Sequence, residues 1–115
     1  MNILILEDNK ERCKLFNNLR QEHSVTITEF AHEAIRLLSL NKYDMLFLDH
    51  DLGGQEMVPS GPGTGYEVAE FLSNNKQFKP EQIIVHSFNG PGSQNIMKAL
   101  PEARWIPGIW LKFKI

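Results

Sequence analysis

The sequence has a single cysteine, no long apolar run and no strong excess of charge of either sign. One cysteine, Cys13, excludes an internal disulfide. No apolar stretch approaches the roughly 18 residues needed to cross a bilayer, so we expect no membrane partner. The net charge of −2, with both signs dispersed, argues against DNA-groove binding. The start of the sequence lacks the basic stretch and cleavage site of a signal peptide, and we therefore expect a cytoplasmic protein.

The most informative stretch runs from Tyr43 to Gly54 (YDMLFLDHDLGG). Four consecutive apolar residues in it end abruptly in Asp49, His50 and Asp51. Such a run is typical of a strand that is buried on both faces, as in a parallel sheet. Parallel sheets bind their ligands outside the carboxyl ends of the strands, so we expect these titratable groups to lie at a functional site.

Short apolar runs and amphipathic stretches alternate along the whole chain. The predicted strands are 2–6, 25–30, 45–48, 83–85 and 104–106, and the predicted helices are 10–22, 31–40, 66–74 and 93–100. This alternation predicts one α/β domain over residues 1–115, with a parallel sheet covered by helices on both faces. The last residues, 109–115, alternate as a terminal strand would. The glycine- and proline-rich segment 52–64 is the longest predicted loop, and loops of this length are more often functional or mobile than neutral.

Several motifs resemble those of response-regulator receiver domains. Glu7 and Asp8 follow the first strand, Asp49 closes the third, Ser87 follows the fourth, and Gly-Tyr-Glu-Val at 65–68 begins a helix. The resemblance covers nearly the whole chain and implies a doubly wound five-stranded parallel sheet of flavodoxin-like order 2-1-3-4-5. It also implies that Glu7, Asp8 and Asp49 hold a divalent metal, Mg²⁺ or Mn²⁺. In such domains the residue matching Asp49 accepts a phosphoryl group, which the residue matching Ser87 contacts.

Two features depart from the receiver pattern. Receiver domains carry a lysine just before a proline at the end of the fifth strand, whereas residues 104–106, Arg-Trp-Ile, precede Pro107 here. The fifth helix of the family is replaced by the strand-like tail. This tail could pair with a second copy of the chain and give a homodimer. Without the lysine, we do not expect ordinary phosphorelay signalling.

Three further motifs resemble a divergent branch of the superfamily, the cyclic-phosphate-processing receiver domain. They are DHDL at 49–52, HSFN at 86–89 and GSQN at 92–95. This branch is proposed to act on cyclic phosphate ends of RNA or on related phosphoesters. The resemblance therefore implies a metal-assisted phosphoesterase whose partner is an RNA end or a small phosphate-containing molecule.

The acidic residues have two interpretations, metal binding and a purely structural role. Clustered carboxylates would not all stay ionised without a cation, and hard oxygen ligands suit Mg²⁺ or Mn²⁺. The structural alternative is that Glu7 or Asp8 merely caps the first helix at its positive end. Asp51 could add to the binding site or simply begin the loop.

Opening a 2′,3′-cyclic phosphate needs a base for the attacking water and an acid for the departing oxygen. His50 and His86 end adjacent strands and could supply both as catalytic residues, together with Asp49 and Ser87. Strand alternation raises an objection, because it points Asp49 and His50 to opposite faces of the sheet. A buried histidine is also more often structural than catalytic.

The remaining polar residues at this edge could bind the substrate. Asn89, the Ser87 hydroxyl and the backbone at Ser93 could hold phosphate oxygens. Trp105, Trp110 and Phe113 could stack on a base, although aromatic residues near a chain end are more often part of a core or an interface. Three functions stay open: a cyclic phosphoesterase, a degenerate receiver that senses or accepts phosphate, and a protein that sequesters a cyclic nucleotide.

Overall fold

The computed structural model describes residues 1–107 of the chain, which form an α/β fold. Its elements are β1 (Asn2–Leu6), α1 (Lys10–Asn17), β2 (Ser24–Thr28), α2 (Ala31–Leu40), β3 (Met45–Leu48), α3 (Gly65–Asn74), β4 (Gln82–Val85), α4 (Gly90–Ala99) and β5 (Arg104–Trp105). All neighbouring strands are parallel, and their order β2-β1-β3-β4-β5 confirms the predicted sheet. The predicted terminal strand at 109–115, with its homodimer contact, lies outside the described residues. Within residues 1–107 no helix has the length and apolarity to cross a membrane.

Two predicted helices differ from the structure by three residues or more at one end. The predicted helix 10–22 is too long, because the α-helix ends at Asn17 and a 3₁₀ turn over Asn18–Gln21 follows. The fourth helix begins at Gly90, three residues before its predicted start. Asn89 caps it by accepting a hydrogen bond from the Gly92 amide at 2.9 Å, and a proline is well placed in a first helical turn. The predicted bounds of α2 are confirmed at both ends.

The strands alternate their side chains between two apolar layers. Ile5, Phe47 and Ile84 pack with Phe16 of α1 on one face, which we call the α1 face. On the opposite face the strands pack against α2, α3 and α4. Complete burial of such a side chain stabilises the fold by about 1.5–3 kcal/mol. The sheet is therefore a rigid support for whatever lies at its edge.

The strand register brings the carboxyl ends of β1, β3 and β4 level with one another. The next residues along these strands are Glu7, Asp49 and His86. The backbone pairing extends to them, because the Asp49 amide donates to Leu6 O at 3.1 Å and the His86 amide donates to Leu48 O at 3.0 Å. Three titratable side chains therefore stand side by side on the α1 face.

Candidate functional site

The first feature of the site is a buried pair between His86 and Glu7. The His86 Nε2 atom lies 2.8 Å from Glu7 Oε1, and neither side chain has solvent-accessible surface. Phe16 and Phe47 pack around the imidazole, with ring centroids 5.1 and 6.3 Å from its centroid. Burial lowers the pKa of His86, even though the Glu7 carboxylate opposes this shift. We therefore assign a neutral ring in which Nε2–H donates to Glu7.

Arg12 of α1 is a charged partner of Glu7. Its Nε donates to Glu7 Oε1 at 2.6 Å and its Nη2 donates to Oε2 at 3.1 Å. The amides of Asp8 and Asn9 also donate to Oε2, at 3.0 and 2.9 Å. Burial alone would raise the pKa of Glu7, but the hydrogen bonds from His86 and Arg12 outweigh it and lower the pKa to about 2. Glu7 is thus an ionised anchor with both carboxylate oxygens engaged.

Asp49 is nearly as buried as Glu7, with 2% of its surface exposed, but it is less well compensated. Its Oδ1 accepts from the His50 amide at 2.8 Å, and its Oδ2 lies 3.3 Å from Arg12 Nη2. Burial and the negative charge of Glu7 raise the pKa of Asp49 to about 8. Arg12 opposes this rise without reversing it, so Asp49 is largely protonated at neutral pH when no metal ion is bound.

A pocket of about 540 Å³ opens beside Asp49 at the carboxyl edge of the sheet. Its lining includes Asp8, Arg12, Asp49, Asp51, Ser87 and Phe88. The loop residues 54–57 form another part of its wall, and the Gly54 amide donates to Asp8 Oδ2 at 2.7 Å. Carboxylates, a hydroxyl and a guanidinium thus share one concave surface.

His50 lies under the long loop, on the face of the sheet opposite to Glu7. Its Nδ1 is 2.7 Å from Asp51 Oδ1, and its Nε2 is 2.8 Å from Ser60 Oγ. We assign the tautomer in which Nδ1–H donates to Asp51 and Nε2 accepts from the Ser60 hydroxyl. The ring packs directly on the backbone of Gly92, where an added Cβ would lie 2.5 Å from His50 Cγ. His50 therefore ties the loop to both the sheet and α4.

Asn89 connects this histidine network to the pocket. Its side-chain Nδ2 donates to Asp51 Oδ1 and to Val58 O, both at 3.0 Å. Its backbone amide donates to Ser87 Oγ at 3.0 Å. Burial would raise the pKa of Asp51, but hydrogen bonds from His50 and Asn89 outweigh it and lower the pKa. Asp51 is therefore a charged residue that belongs both to the pocket wall and to the buried network.

The structure separates the predicted site residues into two groups. Those that line the pocket are Asp8, Asp49, Asp51 and Ser87. Those that are buried behind its wall are Glu7, His50, His86, Asn89 and Ser93. The two histidines lie on opposite faces of the sheet, as strand alternation predicts, and neither ring lines the pocket. Their role as proton carriers stays a prediction, and it would require transfer through Asp51 and Glu7.

Arg12 and Ser60 are two site residues that the sequence motifs do not identify. Arg12 occupies the first turn of α1, where a cation opposes the positive end of the helix dipole unless acids compensate it. An arginine in the first turn of a helix, just after Glu7 and Asp8, is therefore a sequence signal that it pairs with those acids. Arg12 also supplies a positive charge beside Asp49 in a chain that lacks the receiver lysine. Ser60 has no comparable signal, because it lies in a loop without periodicity.

Two combinations of residues could hold a divalent metal. One ligand atom each from Glu7, Asp49 and His86 lies within 4.8 Å of the others. However, Glu7 and His86 already bind each other, and Arg12 binds Glu7. The other combination is Asp8 and Asp49, two carboxylates that both line the pocket and are of the ligand type that a hard cation prefers. In the described part of the chain, Asp8 uses only Oδ2, which accepts from the Gly54 amide.

Solved receiver domains share the fold at low sequence identity. The receiver domain of a sensor histidine kinase from Pseudomonas aeruginosa, with a magnesium ion coordinated in its active-site cleft, has a TM-score of 0.77 and 19% identity, covering 98% of this chain and 88% of that one. The response regulator TrrA from Thermotoga maritima, in complex with Mg²⁺-BeF, has a TM-score of 0.70 and 22% identity, with coverages of 98% and 92%. The Mn²⁺-bound response regulator Rcp1 has a TM-score of 0.71 and 17% identity, with coverages of 92% and 79%. These likenesses establish the fold.

The family is shown by a match over most of the chain. No curated protein matches the chain. The family model described as the cyclic-phosphate processing receiver domain matches residues 2–102, which include every predicted site residue. The chain therefore belongs to the family of cyclic-phosphate processing receiver domains.

Proposed function

We propose that the pocket binds a phosphate together with a divalent cation, and that the chain is a metal-assisted phosphoesterase acting on cyclic phosphates. The substrate would be a 2′,3′-cyclic end of RNA or a cyclic nucleotide. The observation that carries this proposal is the convergence of Asp8, Asp49 and Asp51 with Ser87 and Arg12 on one pocket. Carboxylates suit the cation, while a hydroxyl and a guanidinium suit phosphate oxygens. The family to which the chain belongs is consistent with this chemistry.

The cation would be Mg²⁺ or Mn²⁺, held by Asp8 and Asp49. A bound cation of this kind polarises phosphate oxygens and lowers the pKa of a coordinated water. It would also offset the negative charge that otherwise keeps Asp49 protonated and that would repel a phosphate. The presence of Mg²⁺ or Mn²⁺ in the solved receiver domains supports this choice of metal.

The residues of the chain itself would bind and orient the substrate. Ser87 and Arg12 would contact phosphate oxygens from the pocket wall. His50 and His86 would act as positioning residues, because neither ring lines the pocket and each is hydrogen-bonded to a carboxylate, of which only Asp51 lines it. His50 bonds to Asp51 at 2.7 Å and His86 to Glu7 at 2.8 Å. In this arrangement any proton that they carry passes through the carboxylate partner.

The test is hydrolysis of nucleoside 2′,3′-cyclic phosphates by the pure protein with Mg²⁺ or Mn²⁺, followed by chromatography. We expect hydrolysis by the wild type and its loss in Asp49→Asn and Asp8→Asn. Glu81→Gln is the matched control, because it neutralises an exposed acid just before β4, at the other end of that strand. The proposal would be refuted if the metal-loaded wild type left the 2′,3′-cyclic phosphates of all four nucleosides intact.

The second candidate is a phosphate-sensing or phospho-accepting module. The observation in its favour is that Asp49 and Ser87, which follow neighbouring strands, line the same pocket. Beryllofluoride with Mg²⁺ tests it, because this compound mimics a phosphoryl group on an aspartate. Capture at Asp49 with a change in oligomeric state, without hydrolysis of cyclic phosphates, favours the module. Tight binding of a cyclic nucleotide with neither capture nor hydrolysis favours a sequestering protein.

A further inference from the structure

A large aromatic side chain stands exposed at the rim of this polar pocket. Phe88 directly follows Ser87, lines the pocket and has 55% of its surface exposed. A single exposed apolar residue needs no explanation by itself. This one, however, adjoins the hydroxyl that would contact a phosphate and the carboxylates that would hold the cation. Any group attached to that phosphate would lie within reach of the ring.

The backbone on both sides of Phe88 is fixed by hydrogen bonds. Trp105 Nε1 donates to the carbonyl of Ser87 at 2.8 Å. On the other side, Asn89 is buried, caps α4 and donates its amide to Ser87 Oγ at 3.0 Å. The ring therefore projects from a rigid base, and binding a ligand to it would cost little ordering of the backbone.

A cation also lies close to the ring. The guanidinium carbon of Arg12 is 5.7 Å from the centroid of Phe88, within the range of a cation–π contact. Arg12 is itself held by Glu7 and Asp49. A fixed aromatic face and a fixed guanidinium thus meet at one corner of the pocket, which suits a ligand that has both a flat ring and an anionic group.

The size of the pocket agrees with such a ligand. A volume of about 540 Å³ falls in the range of roughly 300–1,000 Å³ that is typical of sites for small organic molecules. It is larger than a phosphate group alone requires. The polar residues that could bind the phosphate lie next to Asp49, whereas Phe88 and the exposed Met57 supply the apolar part of the lining.

We propose that Phe88 is the platform on which the base of a nucleoside phosphate stacks, and that the ligand of this pocket is a nucleotide or the terminal nucleotide of an RNA. This inference rests on the proposed function, because it places the phosphate in this pocket. Stacking on a phenyl ring tolerates all four bases, since every base has a π face. The subsite therefore selects a nucleoside over other phosphoesters without selecting a base.

The test compares two probes that share the cyclic phosphate and differ in the base. They are adenosine 2′,3′-cyclic phosphate and methyl riboside 2′,3′-cyclic phosphate, in which a methoxy group replaces the base. Equilibrium binding is measured with Mg²⁺ present, and the same samples are analysed for hydrolysis. The variants are Phe88→Ala, Phe88→Trp and Phe30→Ala, a control with a phenylalanine that is 52% exposed and outside the pocket lining.

We expect Phe88→Ala to weaken binding of the adenosine compound about tenfold and to leave the methyl riboside unchanged. Phe88→Trp should bind the adenosine compound at least as tightly as the wild type, and Phe30→Ala should match the wild type. The inference is overturned if Phe88→Ala leaves the adenosine affinity unchanged, if the wild type binds both probes equally, or if it binds neither. Base-dependent binding without hydrolysis supports the stacking platform and refutes the phosphoesterase. Equal hydrolysis of both probes, unchanged in Phe88→Ala, supports the phosphoesterase and refutes the platform.

Discussion

The imidazole of His86 and the carboxylate of Glu7 form a hydrogen bond of 2.8 Å between two strand ends, with both side chains withdrawn from solvent. The pair joins β4 to β1 across β3, and Arg12 adds α1 to it through Glu7 Oε1 at 2.6 Å. Glu7 is thus the residue on which both the strand ends and the first helix converge. Its removal would leave the buried imidazole of His86 without an acceptor, and Arg12 with Asp49 as its remaining charged partner.

The first prediction follows from that burial. Glu7→Ala should destabilise the fold by about 1–3 kcal/mol, because it leaves the buried Nε2–H of His86 without an acceptor and removes the hydrogen bonds from Arg12. Urea unfolding monitored by circular dichroism measures the change. The control is Glu33→Ala, which removes an exposed ion pair with Arg36 and should barely move the midpoint. Similar losses in the two variants would mean that Glu7 acts only as a surface charge.

The second prediction concerns Asp49 and pH in metal-free protein. Its folded-state pKa is raised from 3.8 to about 8, so the folded state binds a proton more tightly than the unfolded chain. The contribution of Asp49 to the free energy of unfolding should therefore fall as pH rises from about 4 to about 8, while the lowered pKa of His86 contributes in the opposite direction. Because the site relaxes around the charge, we expect this contribution of Asp49 to change by on the order of 3 kcal/mol.

Asp49→Asn should remove that contribution, since an amide does not titrate. The measurement is urea unfolding of both proteins in EDTA at several pH values. The variant should be more stable than the wild type at pH 8, and the difference should shrink toward pH 4. Parallel pH profiles for the two proteins would contradict the raised pKa.

Parts of this site could be predicted from sequence, and parts could not, for physical reasons. The apolar runs before Glu7, Asp49 and His86 fix strands of known direction, so their meeting at one edge of the sheet follows from the fold. The two-residue period of a strand also predicts that Asp49 and His50 diverge. The contact of Arg12 with Asp49 could not be predicted, because a long side chain on a helix reaches several positions with similar local energy.

The third prediction concerns the metal. Mg²⁺ or Mn²⁺ should raise the free energy of unfolding of the wild type, by about 2.7 kcal/mol at a concentration of 100 times the Kd. The gain should be larger at pH 8 than at pH 6, because the proton on Asp49 competes with the ion. Thermal unfolding with and without metal measures it. Asp8→Asn should lose most of the gain and Glu81→Gln should keep it; an undiminished gain in Asp8→Asn would place the ion elsewhere.

The fourth prediction concerns the long loop. Ser60→Ala removes the hydroxyl that pairs with His50 Nε2 at 2.8 Å and with Asn95 Nδ2 at 3.0 Å. The loop should open more often, and the fold should lose about 1 kcal/mol. Hydrogen–deuterium exchange of peptides that cover 52–64 measures the opening. Ser39→Ala, which removes an exposed hydroxyl on α2, should leave this exchange unchanged. Equal protection in Ser60→Ala and the wild type would show that His50 does not hold the loop.

The fifth prediction uses two glycines in the first turn of α4. A Cβ at Gly92 would lie 2.5–2.7 Å from ring atoms of His50, whereas a Cβ at Gly90 would meet only Trp105, at an ordinary contact of 3.8 Å. His50 cannot move aside easily, because Asp51 and Ser60 hold both of its nitrogens. Gly92→Ala should therefore cost about 2 kcal/mol or more, since a rigid ring must shift within a packed core.

Gly90→Ala should be neutral or slightly stabilising, because alanine restricts the unfolded chain and favours a helix. Both variants change the same residue type in the same helical turn, so their difference isolates the contact with the imidazole. Gly92→Ala should also raise hydrogen exchange in 52–64, as the displaced ring loses Ser60. If the two alanine variants unfold at the same urea concentration, the imidazole is not packed on α4, and the link between the loop and the pocket through Asp51 and Asn89 loses its support.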